Sequence, residues 1–379
     1  MYDVIVVGGG PGGSSTAYNC AKRGLKTILI DQRIKPGTPK QCAEGINEEI
    51  LEELDLEMKP EWVSQKIDSF ILSDFKHTVL LKGRRTRGFV LDRKIFDYDL
   101  VKRAENAGAE LKLGIKVKDL SKNEVILSDE SVVEGKIIVG ADGPLSIVGR
   151  ASGLGNPKSG QGIQYEIQTS KTAHPNALHC YLDPELENEG YLWIFPKKNT
   201  LNVGMGSMKI HNMKPALREF VNKLDLNDEP LEETNAGLIP LHGPVKKFYG
   251  KNVLLVGDAA GHTNPLSGGG IPVAIYDGIL AAEVIEKHLK SNYPLSNYQK
   301  LWWKSDFGKA TKASLSVKKS YLKLLKADQF SALLGNIGNQ EITSVKQLMK
   351  VGTKIPGVMN KVKLLFLFKR FMKHLKYAW

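Results

Sequence analysis

Cysteine is scarce in this chain: Cys20, Cys42 and Cys180 are the only three among 379 residues. They cannot build a disulfide framework and share no metal-ligand spacing, so no metal is expected, and a reducing, cytoplasmic setting fits best. Long apolar runs are missing too. The stretch Leu364-Leu365-Phe366-Leu367-Phe368 falls far short of the ~20 residues a membrane span needs. The opening Met1-Tyr2-Asp3 leads straight into a strand with no basic stretch, so no signal peptide is expected. Internal repeats and low-complexity tracts are absent. Acidic residues stop at Glu341, and nine lysines and arginines follow, out of a net charge of +12. A generally basic protein would point to nucleic acid. A basic segment interleaved with Leu, Phe, Met and Trp points instead to an anionic membrane surface.

What is present begins with a nucleotide motif. Tyr2–Val7 is a continuous apolar, β-branched run of the kind found in buried parallel strands. It meets Gly8-x-Gly10-x-x-Gly13, with Gly12 inside the motif. A helical pattern ending near Gly24 follows, and then a second strand closes on Asp31, 18 residues after Gly13. Gly8 allows the tight turn, Gly10 lets backbone approach a pyrophosphate, and Gly13 lets helix and strand pack closely. The helix N-terminus offers free N–H groups and a partial positive charge to the phosphates, and Asp31 can hold the ribose hydroxyls. Strand, helix and acid together make this a dinucleotide site.

Buried strands recur at 136–143, ending in Asp142-Gly143, and at 252–257, ending in Gly257-Asp258. They are expected to share one parallel sheet with the first strand. Segment 32–60 reads as a loop and a short helix. Segments 61–91 and 156–250 alternate apolar and polar residues, as in an antiparallel sheet. Gly268-Gly269-Gly270 opens a helix beginning at Ile271, and the rest reads as helices rich in Lys and Leu. The fold class is therefore α/β: a Rossmann-like dinucleotide domain built from 1–60, 92–155 and 251–290, an antiparallel cap of 61–91 and 156–250, and a helical region, 291–379, with a basic amphipathic tail. In that tail Val358, Val362, Leu365, Phe368, Met372, Leu375 and Trp379 recur at helical spacing, as a lipid-facing stripe would.

This order of motifs resembles the FAD-dependent enzymes of the glutathione reductase-like superfamily, in its aromatic hydroxylase and geranylgeranyl reductase branch. Tyr191-x-Trp193-x-Phe195-Pro196, seven residues, and Gly204-x-Gly206 matches the geranylgeranyl reductase pattern. Cys42-Ala43-Glu44-Gly45-Ile46 is similar to that family's CGEG-type loop, with Ala43 in place of the usual glycine. The resemblance covers about residues 1–330. It implies FAD as cofactor and reduction of prenyl-chain double bonds in archaeal phospholipid precursors. No second glycine fingerprint follows a strand, so no dedicated NAD(P)H domain is expected, and ferredoxin, transiently bound NAD(P)H and reduced quinone all stay open as electron donors.

The resemblance also implies site roles. The glycine turn holds the pyrophosphate and Asp31 the adenosine ribose. Val117 offers its backbone to the adenine, and Arg93 lies near the phosphates and ribityl chain. Asp258 holds a ribityl hydroxyl. Cys42, Ala43 and Gly45 touch the flavin, as does the backbone of Gly270 and Ile271. Tyr191, Trp193 and Phe195 alternate along a strand and so share one face, a hydrophobic slot for the isoprenoid substrate, with Gly204 and Gly206 beside it.

An isolated double bond also needs a proton. Cys42 is the candidate acid, with Tyr191 or water as the other sources and simple packing of Cys42 on the flavin as the competing role. His262 stays outside the catalytic set, and Asp142 and Arg150 receive no chemical step. A flavin monooxygenase, a flavin-linked quinone oxidoreductase and a non-catalytic prenyl-lipid-binding protein would share the fold.

Overall fold

The computed structural model describes residues 1–40, 42–187, 189–326 and 374–379, and between the last two spans residues 331, 334, 335, 337, 338, 341–343 and 347. The strand Tyr2–Val7 lies between Thr27–Asp31 and Val132–Gly140, parallel to both, and Glu110–Leu113 extends the sheet on one side. The second half of Val132–Gly140 also pairs in parallel with Val253–Leu255. The three segments expected to share a parallel sheet do so. The first half of the same strand turns away into an antiparallel meander with Glu124–Leu127 and Val117–Ser121. Its burial changes to match, from exposed at Val132 to fully buried at Ile138 and Val139.

The helix Pro11–Lys22 follows the first strand, and Ile271–Ser291 packs against it. A Cβ on Gly278 would stand 2.5 Å from the backbone nitrogen of Thr16, so the crossing is closer than any side chain allows. Ser15 Oγ donates to the carbonyl of Ile275 at 2.7 Å and ties the two helices together.

A second sheet has eight strands, in the order Leu231–Ile239, Gly160–Ile167, Leu201–Ser207, Gly190–Pro196, Ala177–Tyr181, Ser69–Ser73, Thr78–Lys82 and Glu341–Ile342. Its neighbours are antiparallel except at two joins. Ala177–Tyr181 runs parallel to Ser69–Ser73, and Glu341–Ile342 runs parallel to Thr78–Lys82. Both exceptions join pieces far apart in sequence, where no hairpin dictates direction. One face is covered by the helix Lys214–Lys223, whose Leu217, Phe220 and Val221 bury against Leu192, Ile194, Val203 and Met205. The other face is left for the site. A three-stranded antiparallel sheet of Gly45–Asn47, Gly88–Leu91 and Val63–Ile67 bridges the two halves.

Three expectations need correction. Residues 45–54 form a short strand followed by two 3-10 turns, Glu48–Ile50 and Glu52–Leu54, rather than one helix, because Gly45–Asn47 completes the bridging sheet. The region after 291 is helical over Ser296–Lys304 and Asp306–Lys326 but also supplies the strand Glu341–Ile342. Leu375 and Trp379, placed on the lipid-facing stripe of the tail, are 8% and 7% exposed and pack inside the protein. The remainder of that stripe, 358–372, lies outside the described residues.

A candidate flavin and prenyl-chain cavity

One cavity of about 1160 Å³ runs between the parallel sheet and the open face of the eight-stranded sheet. Its polar end is built by the glycine turn. Gly8 has φ +106°, and a Cβ there would lie 2.2 Å from the carbonyl oxygen of Ala141. A Cβ on Gly13 would lie 1.7 Å from the Gly8 oxygen, so only glycine closes the turn. Gly13 sits beneath the cavity wall, whereas Gly8, Gly10 and Gly12 form it. A Cβ on Gly10 would meet nothing within 4 Å, which leaves room for a phosphate against bare backbone. No side chain caps the helix beginning at Pro11, or the one beginning at Ile271 after Gly270, so both N-termini keep donors for a ligand.

The other expected cofactor residues line the same space: Asp31, Cys42, Ala43, Gly45, Arg93, Val117, Asp258, Gly270 and Ile271. Asp31 is held rigid, accepting from Gly9 N at 2.5 Å and Arg33 N at 2.7 Å. Arg93 makes a two-pronged contact with Asp97, both bonds 2.6 Å, and although burial opposes its charge, Asp97 holds it on. Asp258 accepts from Thr263 Oγ1 at 2.5 Å, and burial pushes its carboxyl above the usual range. A carboxyl in that setting gains from a ligand hydroxyl. His262 stands behind this turn, its Nδ1 2.6 Å from Asp277, which also accepts from Gly257 N and Trp302 Nε1. It supports the turn from within and does not line the cavity. Asp142 binds Ser146 Oγ and the backbone nitrogens of Ile147 and Val148, fixing the short helix beside the turn. These features fit FAD: an open glycine cradle, two uncapped helix N-termini and a buried acid at the flavin end.

The apolar end belongs to the second sheet. Along Gly190–Pro196 the alternation is strict. Leu192 and Ile194 face the covering helix, and Tyr191, Trp193 and Phe195 face the cavity. Gly204 and Gly206 do not line it. Gly204 seats the Trp193 indole, since a Cβ there would fall 2.4 Å from the ring, whereas one on Gly206 would meet the ring at ordinary contact distance. Trp193 Nε1 donates to Asn202 Oδ1 at 2.8 Å, which fixes the ring further. The Tyr191 hydroxyl donates to the carbonyl of Ser267, and burial pushes its pKa far above the ordinary phenol value.

Cys42 lies between the two ends. Burial raises its thiol pKa, against the pull of Arg93. Its Sγ accepts from Glu44 N at 3.1 Å, and Gln164 Nε2 donates to its carbonyl at 2.9 Å. Glu44 is itself fully buried, with φ +73°, and holds Arg93 N and the Lys197 ammonium. Lys40, Glu166 and Thr200 complete a buried ionic cluster behind the loop.

Sequence reasoning missed this cluster, whose members come from segments more than a hundred residues apart. It also missed Cys180, a second thiol on the cavity wall, with burial pushing its pKa to about 12. Phe70, Leu72, Val79 and Leu81 add apolar wall, and so do Leu375, Ala378 and Trp379. The alternation of the two strands at 69–82 carried a signal for the first group. Trp379 carried none.

A parallel-sheet nucleotide half, an uncapped glycine turn and one cavity shared with a second sheet define an FAD-binding oxidoreductase fold. Residues 1–300 match the family model described as FAD binding domain. The digeranylgeranylglycerophospholipid reductase of Methanococcus vannielii is 33% identical over 386 residues, covering 95% of this chain and 97% of the relative. That of Methanocaldococcus jannaschii is 34% identical over 383 residues, with the same two coverages of 95% and 97%. A solved structure of a geranylgeranyl bacteriochlorophyll reductase-like protein from Thermoplasma acidophilum superimposes with a TM-score of 0.85 at 28% identity, covering 96% of this chain and 98% of that one. The chain belongs to the digeranylgeranylglycerophospholipid reductase family.

Proposed function

We propose that this protein is an FAD-dependent reductase that saturates the double bonds of geranylgeranyl chains in archaeal phospholipid precursors. The observation that carries the reading is the single cavity in which the glycine cradle and the Tyr191–Trp193–Phe195 face meet across Cys42. When bound and reduced, FAD supplies a hydride. The chain's own residues do the rest. The cradle and Asp31 hold the dinucleotide, and Arg93 and Asp258 hold its middle. The uncapped N-terminus at Gly270 favours negative charge on the flavin.

Tyr191, Trp193 and Phe195 flatten an apolar chain and keep water from the cation-like carbon that receives the hydride. Cys42 holds the proton: burial keeps the thiol protonated at neutral pH, and the Glu44 backbone fixes its sulfur. Tyr191 positions the wall, because its hydroxyl proton is already given to Ser267. Electrons reach the flavin from an external donor such as ferredoxin, NAD(P)H or reduced quinone. In an anaerobic assay the reduced holoenzyme should add two hydrogens per double bond to a geranylgeranyl phospholipid, read by mass spectrometry. Oxygen-dependent hydroxylation with the prenyl chain untouched would overturn the reading.

A substrate with two long prenyl chains must be drawn from a bilayer, so the basic segment docks the protein peripherally on anionic lipid. No helix among the described residues is long and apolar enough to cross a membrane. Lys376 itself is engaged with Glu53. Replacing Lys361, Lys363, Lys369 and Lys373 with Gln should abolish flotation with anionic vesicles at low salt, at roughly 1 kcal/mol per residue. Flotation equal to the parent would place the contact elsewhere.

A further inference from the structure

Within the segment His374–Trp379, Leu375, Ala378 and Trp379 are buried and line the cavity. Tyr377 bonds Glu53 at 3.1 Å and Asp306 at 3.4 Å. Ser267 Oγ donates to the carbonyl of Ala378, and Asn47 N donates to that of Trp379 at 3.2 Å. Three glycines on different elements clear its path. A Cβ on Gly269 would lie 2.1 Å from the Ala378 oxygen. One on Gly88 would lie 2.6 Å from the Trp379 ring, and one on Gly45 would lie 3.4 Å from it. The indole meets Phe70 edge-on, with centroids 4.8 Å apart, and completes the wall that Phe195 begins.

Two of the elements that hold this segment are cofactor elements. Gly45 belongs to the Cys42 loop, and Ser267 and Gly269 belong to the turn that opens the helix at Ile271. The third side is the apolar sheet face. A prenyl chain lying between that face and the Gly268–Gly270 turn therefore runs past Trp379. The indole Nε1 is buried and has no acceptor among the described residues. That is a costly choice for a position whose only task is to fill a core.

We infer that Trp379 is a specificity-determining residue: its indole sets how far a prenyl chain extends beside the flavin, and so which chain lengths are reduced. The inference rests on the proposed prenyl reduction and deepens it. A rigid ring at the wall rejects a longer chain by steric exclusion, and removing it opens space next to Phe70 and Gly88.

The test is a competition between two lipids with the same headgroup, one with twenty-carbon prenyl chains and one with chains an isoprene unit longer. Parental holoenzyme, Trp379→Ala and Trp379→Phe are compared, with FAD content measured for each and products read by mass spectrometry. Trp379→Ala should keep its FAD and shift the kcat/KM ratio toward the longer chain by about tenfold or more. Trp379→Phe, which keeps a ring, should stay within about twofold of the parent. If Trp379→Ala loses FAD, Trp379→Leu carries the same expectation with more of the core volume kept. An unchanged ratio in an FAD-replete variant that lacks the ring overturns the inference. A parental enzyme that reduces neither lipid overturns the functional reading instead.

Discussion

The two ends of the cavity are built from different material. At the dinucleotide end the phosphate cradle is backbone: Gly8, Gly10 and Gly270, with two helix N-termini that no side chain caps. At the apolar end the wall is side chain: Phe70, Tyr191, Trp193, Phe195 and Trp379, drawn from three separate stretches of sequence. Backbone presents the same amides whatever the neighbouring residues, so the polar end depends on glycine spacing and tolerates nothing larger. Side-chain walls can be reshaped one residue at a time. Cofactor binding should therefore fail all at once under substitution, and substrate handling should change by degrees.

The sharpest way to break that contrast is Gly13→Ala. Its Cβ has nowhere to go, 1.7 Å from the Gly8 oxygen, so the purified protein should lack FAD and all reductase activity. A yellow, active Gly13→Ala protein would mean the turn is not the cradle. Next in size is Cys42→Ala, which should retain FAD and lose alkene reduction by on the order of 10²–10⁴-fold, the range for losing a general acid. Cys42→Ser should recover little. Because burial raises the thiol pKa, the proton is held through neutral pH and lost only as pH climbs through that raised value. The alkaline limb of kcat should therefore lie above about 8.5, the ordinary thiol value. A limb below it, or parental rates in both variants, would reduce Cys42 to packing.

Smaller effects belong to the side-chain wall. Gly204→Ala pushes a methyl into the Trp193 ring, which it would meet at 2.4 Å. FAD content should hold while the rate falls by roughly tenfold, in keeping with a misplaced wall. Loss of FAD would show that the two ends are not independent. Smallest is Tyr191→Phe, which forfeits one hydrogen bond to Ser267, worth about 1 kcal/mol, and so should slow reduction by only about fivefold. A loss as large as that of Cys42→Ala would make Tyr191 the proton source.

The same contrast explains what could be read from the sequence. The glycine turn, Asp31 and Asp258 are local signals: a spacing, an acid after an apolar strand. They located the polar end and the parallel sheet. Strict alternation placed Tyr191, Trp193 and Phe195 on one face. The helix Lys214–Lys223 was missed, although Pro215 starts it and Leu217, Phe220 and Val221 carry its period, because alternating strands on either side dominated the segment. Gly204 and Gly206 were assigned to substrate by their spacing, yet neither lines the cavity, and Gly204 makes room for Trp193. The cluster of Lys40, Glu44, Glu166 and Lys197 exists only once the two halves meet. Trp379 looked like one more apolar position on an amphipathic stripe. What turns it inward is the path cleared by Gly45, Gly88 and Gly269, which no periodicity records.

In the proposed reaction one cavity brings a prenyl double bond onto the reduced flavin. The most direct test is a single turnover without oxygen. The protein is reduced with dithionite, freed of excess reductant and mixed with a geranylgeranyl phospholipid, and the flavin absorbance is followed. The yellow of oxidised flavin should return on adding the lipid, one flavin for each double bond lost, and Cys42→Ala should reoxidise far more slowly. If the flavin stays reduced until oxygen is admitted, with the lipid unchanged, the cavity does not couple the two.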